Sequence, residues 1–134
     1  MTVDKERQLR LSSAEDVVLI RQAVRQWSAD LGFSLVDQTK LVTAASELAR
    51  NAVIYGGGGE ARIRTLARNG RLGIQVTFQD NGPGIADIEQ AMKDGFTTGS
   101  GLGLGLGGAK RLTQEFEIES NPGEGTRVTF VRWR

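Results

Sequence analysis

With 134 residues, the chain is sized for one domain around a single substantial core, and a net charge of +1 gives it no basic field to draw nucleic acid. It has no cysteine and no histidine, which excludes disulfides, thiolate chemistry, a Ser-His-Asp triad, histidine metal ligands and phosphohistidine. A general base on this chain has to be a carboxylate.

Residues 1–7 are charged without a following apolar run, and no segment nears the ~18 apolar residues of a membrane span. The chain therefore reads as soluble and cytoplasmic, with no membrane partner. Residues 3–11 mix Val3, Leu9 and Leu11 with charges, as a half-solvated edge strand does. Ser12 and Glu15 have capping-box spacing and open a helix to about Leu31, with Val17, Ile20, Val24, Trp27 and Leu31 on one face and Gly32 closing it. Arg21 and Arg25 fall on another face, either as a solvated stripe or as a partner surface.

Ser34 caps a second helix over 35–55, whose buried stripe is Leu41, Ala45, Leu48, Ala52 and Tyr55. Beside that stripe, Glu47 and Asn51 stand one turn apart and can reach one ligand. Gly56-Gly57-Gly58-Gly59 ends the helix. A strand over 61–67 has Arg62, Arg64 and Arg68 alternating outward, Asn69-Gly70 predicts a tight hairpin, and 72–80 is the partner strand. Its phase puts Asp80 in step with Leu72, Ile74, Val76 and Phe78, so this carboxylate falls on the apolar face. A lone carboxylate there costs several kcal/mol to desolvate and needs a donor. The donor is either the turn itself, through an Asx turn at Asn81-Gly82-Pro83-Gly84, or a bound ligand.

Residues 85–94 form a short helix or helical turn and lead into a stretch, 95–108, in which glycine recurs every second or third residue. Such a backbone can turn several N–H groups toward one anion, and a helix beginning near Gly107 would add its positive end. Composition alone also fits a flexible linker, but Leu102, Leu104 and Leu106 alternate with the glycines as anchors to a core. The string Gly103-Leu104-Gly105-Leu106-Gly107-Gly108 satisfies a dinucleotide fingerprint, yet no strand precedes it and Val128 stands where an acid is needed. A strand with Phe116, Ile118 and Ser120 on one face, a turn at Asn121-Pro122-Gly123-Glu124-Gly125 and a strand over 126–133 complete the chain. The order predicts an α+β two-layer sandwich, with helices on one face of a mostly antiparallel sheet.

Four stretches now stand in order: Glu47-Leu48-Ala49-Arg50-Asn51, Asp80-Asn81-Gly82-Pro83-Gly84-Ile85, Gly101-Leu102-Gly103-Leu104-Gly105-Leu106 and Gly123-Glu124-Gly125-Thr126. This set resembles the N, G1, G2 and G3 boxes of the GHKL (Bergerat-fold) ATPase superfamily, and the likeness covers essentially the whole chain as one ATP-binding kinase domain, residues 1–134. Length and the missing histidine set it apart from topoisomerases, mismatch-repair ATPases and histidine kinases. Asp94-Gly95-Phe96-Thr97-Thr98 and the run from Gly105 to Phe116 are similar to the RsbT-type switch kinases of the bacterial stressosome, although Gln114 stands where an acid is expected and Gly107 where some relatives carry another residue.

The resemblance implies a serine/threonine protein kinase that uses ATP and Mg²⁺ to phosphorylate STAS-domain proteins in a partner-switching stress pathway. On release, such a kinase binds and activates a partner phosphatase. The alternative it implies is an anti-sigma factor that sequesters a sigma subunit. By resemblance, Glu47 is the general base, Asn51 the Mg²⁺ ligand and Asp80 the reader of adenine. Gly82 and Gly84 admit the base, and Thr126 supports its pocket. Thr98, Gly99, Gly101, Leu102, Gly103 and Gly105 form the lid over the ATP phosphates. Arg50, Lys110 and Arg111 are salt-bridged helix surface or contacts to phosphate or protein substrate.

Overall fold

Apolar residues at every second position of two long strands, joined by Asn69-Gly70, dictate a hairpin with one buried face. In the computed structural model, which describes residues 2–92 and 105–134, that hairpin is the centre of the sheet. Its turn has positive φ at both Asn69 (51°) and Gly70 (80°), the twist that fits a two-residue connection. The elements in chain order are β1 (Thr2–Leu11), α1 (Ala14–Asp30), α2 (Leu35–Ile54), β2 (Gly59–Arg68), β3 (Arg71–Asp80), α3 (Ile88–Ala91), α4 (Gly105–Arg111), β4 (Glu115–Asn121) and β5 (Gly125–Trp133). The strands form a five-stranded sheet in the order β1-β2-β3-β5-β4, antiparallel at every pairing. Both hairpins are where the sequence places them, and the α+β two-layer architecture is as expected.

The helices cover one face. Leu11, Ile20, Val24, Leu41, Leu48, Ile63, Ile74, Val76 and Phe130 are almost completely buried between the layers, each stabilising the fold by about 1.5–3 kcal/mol relative to exposure. The other face carries a small cluster of Leu66, Val131 and Trp133, and the Arg68 guanidinium lies 4.7 Å above the Trp133 ring. On that face Arg62 and Arg64 point outward as expected and share the Glu6 carboxylate of β1 at 3.1 and 3.4 Å. No helix among the described residues is long and apolar enough to cross a membrane.

Three local expectations are corrected. The cap of α1 is Ser13 rather than Ser12: Ser13 Oγ accepts from the Asp16 N–H, while Asp16 accepts from the N–H and hydroxyl of Ser12 at 2.8 and 2.9 Å. Two serines in a row offer two registers, and the acid that closes the box is Asp16 rather than Glu15. Tyr55, assigned to the buried stripe of α2, is 41% exposed, because α2 gives way at Ile54 and Tyr55 is its cap. The helix after the glycine-rich stretch begins at Gly105, two residues before Gly107, with Leu106 and Ala109 buried in the core.

Candidate functional site

Helix α2 is held at its start by the Ser34 hydroxyl, which accepts from the Asp37 N–H at 3.1 Å, and its middle turns carry Glu47 and Asn51. The Glu47 side chain is 12% exposed and pairs with the half-exposed Arg50, one turn on, at 3.6 Å. Lys110 and Arg111 lie exposed at the end of α4. Asn51 is partly buried, and its carbonyl accepts from Tyr55 N–H at 2.9 Å and Gly56 N–H at 3.2 Å. Gly58 N–H closes onto Ala52 at 2.8 Å. These bonds satisfy the carbonyls of Asn51 and Ala52 in the last turn and bend the chain, so that Gly56 is delivered against Asp80 at the end of β3.

There it meets Asp80, which is 9% exposed. Oδ1 of Asp80 accepts from Gly82 N–H at 2.9 Å and from Thr126 N–H at 3.2 Å. The Asx-type bond is thus made, but both donors fall on the same oxygen, and among the described residues no donor is bonded to Oδ2. The space around the carboxylate exists because its neighbours lack side chains. A Cβ on Gly56 would run into the Asp80 carboxyl carbon, and one on Gly82 would lie 2.6 Å from the Gly56 Cα. Two glycines from separate segments, Gly56 after α2 and Gly82 after β3, therefore pack against each other and leave the acid accessible from one side.

The third wall comes from β4 and β5. Gly84 packs on the Asn121 carbonyl, and Gly123 N–H donates to Pro83 at 2.7 Å, so the turn after β3 is seated on the turn before β5. Ser120 joins them: its hydroxyl oxygen lies 2.7 Å from Ile85 N, 3.1 Å from Gly125 O and 2.7 Å from Thr126 Oγ1. Ser120 and Gly56 escaped the reading of the sequence. Ser120 looks like an ordinary inward strand residue, and Gly56 is one of four consecutive glycines.

The structure thus gathers Asp80, Gly82, Gly84 and Thr126 in one cradle, with the Asn51 carbonyl linked to it through Gly56. Thr98, Gly99, Gly101, Leu102 and Gly103 lie outside the described residues. Gly105 is buried at the start of α4, which packs on α2. Arg132 anchors this exit: it donates to Leu112 O at 2.9 Å and to Asp37 at 2.7 Å, tying the end of α4 to the start of α2. The Arg132 bond holds the Asp37 carboxyl below the ordinary carboxylate range.

Asn51 offers one neutral amide on the helix face of Glu47, a donor compatible with an oxygen-ligated magnesium that keeps its waters and shares phosphate oxygens. An adenine amine suits Asp80, a nearly buried acceptor with an oxygen to spare.

Comparison with known proteins agrees with this geometry. The family model of histidine kinase-, DNA gyrase B- and HSP90-like ATPases matches residues 36–134. The serine/threonine-protein kinase RsbT of Bacillus subtilis (strain 168) is 45% identical over 125 residues, covering 93% of this chain and 94% of the relative. The anti-sigma F factor of Thermoanaerobacter sp. (strain X514) is 31% identical over 129 residues, covering 92% of this chain and 89% of the relative. Among solved structures, that of the RsbU and RsbW domains of Rv1364c from Mycobacterium tuberculosis shares the fold, with a TM-score of 0.63 at 22% identity over 98% of this chain and 33% of that one. The chain belongs to the histidine kinase-, DNA gyrase B- and HSP90-like ATPase family, alongside its small serine/threonine kinases and anti-sigma factors.

Proposed function

We propose that this chain is a Mg-ATP-dependent serine/threonine protein kinase of a bacterial partner-switching stress pathway, working as one nucleotide-binding unit in the cytoplasm. Its substrates are STAS-domain antagonist or scaffold proteins, and on release from them it binds and activates a partner phosphatase. The observation that carries the reading is the meeting of two motifs, 80–85 and 123–126, with Gly56 at the Asp80 carboxylate. The Asp80 carboxylate is nearly buried, its Oδ1 is held by two backbone donors while no described residue is bonded to Oδ2, and the exocyclic amine of adenine is a donor that would fit it.

Asp80 would accept from that amine, with Gly82 and Gly84 letting the base approach the backbone and Thr126 flanking it. Asn51 would hold Mg²⁺ by its amide oxygen. When bound, the ion would offset the charge that builds up on the phosphates. Thr98, Gly99, Gly101, Leu102, Gly103 and Gly105 would cover the phosphates. Glu47, on the same helix face as Asn51, would orient the serine or threonine hydroxyl of the substrate and take its proton.

The test mixes purified protein with candidate STAS proteins and labelled ATP. Glu47→Ala should cut transfer by roughly 10²–10⁴-fold, the usual worth of a general base, and leave nucleotide binding largely in place. Transfer at the wild-type rate would remove Glu47 from that role. The likeness to an anti-sigma F factor supports a second reading, a sequestering factor for a sigma subunit with the same nucleotide pocket. No label on any STAS protein, together with capture of a sigma subunit, would favour it.

A further inference from the structure

Ser120 belongs to none of the four motifs, yet its hydroxyl is where the segments around the Asp80 cradle meet. A serine hydroxyl gives one proton and accepts two. Ile85 N–H, at 2.7 Å, can only donate to it, and Gly125 O, at 3.1 Å, can only accept from it. That leaves one role for Thr126 Oγ1, at 2.7 Å, if all three contacts hold together: it donates to Ser120. Thr126 then spends its proton on Ser120 and offers only lone pairs elsewhere. Thr126 is the direct cross-strand partner of Asp80, so the two side chains share a face and stand side by side.

We propose that Ser120 is a positioning residue for base selection: by fixing the proton of Thr126, it makes the wall beside Asp80 accept only. An accepting wall matches the amine of adenine and repels the carbonyl oxygen that guanine carries at the equivalent carbon. Without Ser120, the Thr126 hydroxyl is released to turn and donate, and guanine gains a partner. This inference rests on the reading of Asp80 as the contact for adenine.

Calorimetric titration of the full chain with ATP and with GTP, each with magnesium, tests it. Ser120→Ala should reduce the ATP-over-GTP preference by roughly tenfold, the scale of discrimination one buried hydrogen bond supplies. Ser120→Thr, which keeps the hydroxyl, should retain the preference. Folded Ser120→Ala protein with the wild-type preference overturns the proposal, and so does an equal loss in Ser120→Thr, which would trace the effect to packing. If Ser120→Ala does not fold, Thr126→Val decides: it removes the polarised oxygen while Ile85 keeps its acceptor, and an unchanged preference overturns the proposal equally. Asp80→Asn separates the two levels. If it binds ATP as wild type does, the adenine contact itself is wrong. If it loses the preference while Ser120→Ala and Thr126→Val keep it, the role of Ser120 alone falls.

Discussion

Gly56 shows how much of the site depends on an atom that is missing. Its Cα sits between Gly82 and the Asp80 carboxylate, and an added methyl would overlap the carboxyl carbon. Interiors are packed densely enough that one excess methyl is felt, typically at about 1–3 kcal/mol. The relief available to Gly56→Ala is to push Asp80 off its two backbone donors, which are also what aims it. The substitution should therefore weaken ATP binding by at least an order of magnitude and lower the melting temperature by several degrees, the two read by calorimetry and thermal melting on one preparation. Lowered stability with unaltered ATP affinity would mean that the Asp80 carboxylate does not face the base.

At the scale of elements, the pair of Asp37 and Arg132 joins the start of α2 to β5, and Arg132 also holds the end of α4. The charge-assisted bond from Arg132 lowers the pKa of Asp37 in the folded chain. A carboxyl depressed in this way contributes stability that is fully present above its unfolded pKa, near 4, and is lost as pH falls through the folded value. Asp37→Asn should therefore be less stable than wild type at pH 6, should begin to close on it as pH drops below about 4, and should meet it once pH is below the folded pKa of Asp37, where both side chains are neutral. Urea unfolding at several pH values gives the comparison, and a gap that stays constant down to pH 2.5 would exclude this pair as its source.

None of that clamp is visible in the sequence, because Asp37 and Arg132 are 95 residues apart and each passes for a solvated charge. What is legible is whatever a local period or turn enforces. Alternation along β3 fixes the inward face of Asp80, and Asn69-Gly70 fixes the hairpin register that puts Asp80 opposite Gly59. Where the local signal is degenerate, the reading slips by a residue or two: Ser12 and Ser13 both cap well, and Gly105 and Gly107 both open a helix. Gly56 and Ser120 acquire their meaning only from partners across the fold.

For the molecule as a whole, the site is a property of the tertiary fold and not of any one segment. Asp80 closes β3, Thr126 is the second residue of β5, Gly56 follows α2, and Asn51 is tied to Gly56 through its backbone carbonyl. An unfolded chain scatters these groups and retains no affinity for nucleotide, so ligand binding must appear as stability. At a free concentration 100 times Kd, the gain is about 2.7 kcal/mol. For a chain of 134 residues this corresponds to a rise of roughly 10 °C in melting temperature. Mg-ATP should produce that rise, GTP at the same concentration should give much less, and Asp80→Asn should lose the ATP-specific part, since its amide would set a donor against the amine of adenine. The outcome separates a pocket that reads the base from one that holds only phosphates. Equal shifts with ATP and GTP would place the binding energy in contacts common to both nucleotides and would mean that Asp80 does not read the base.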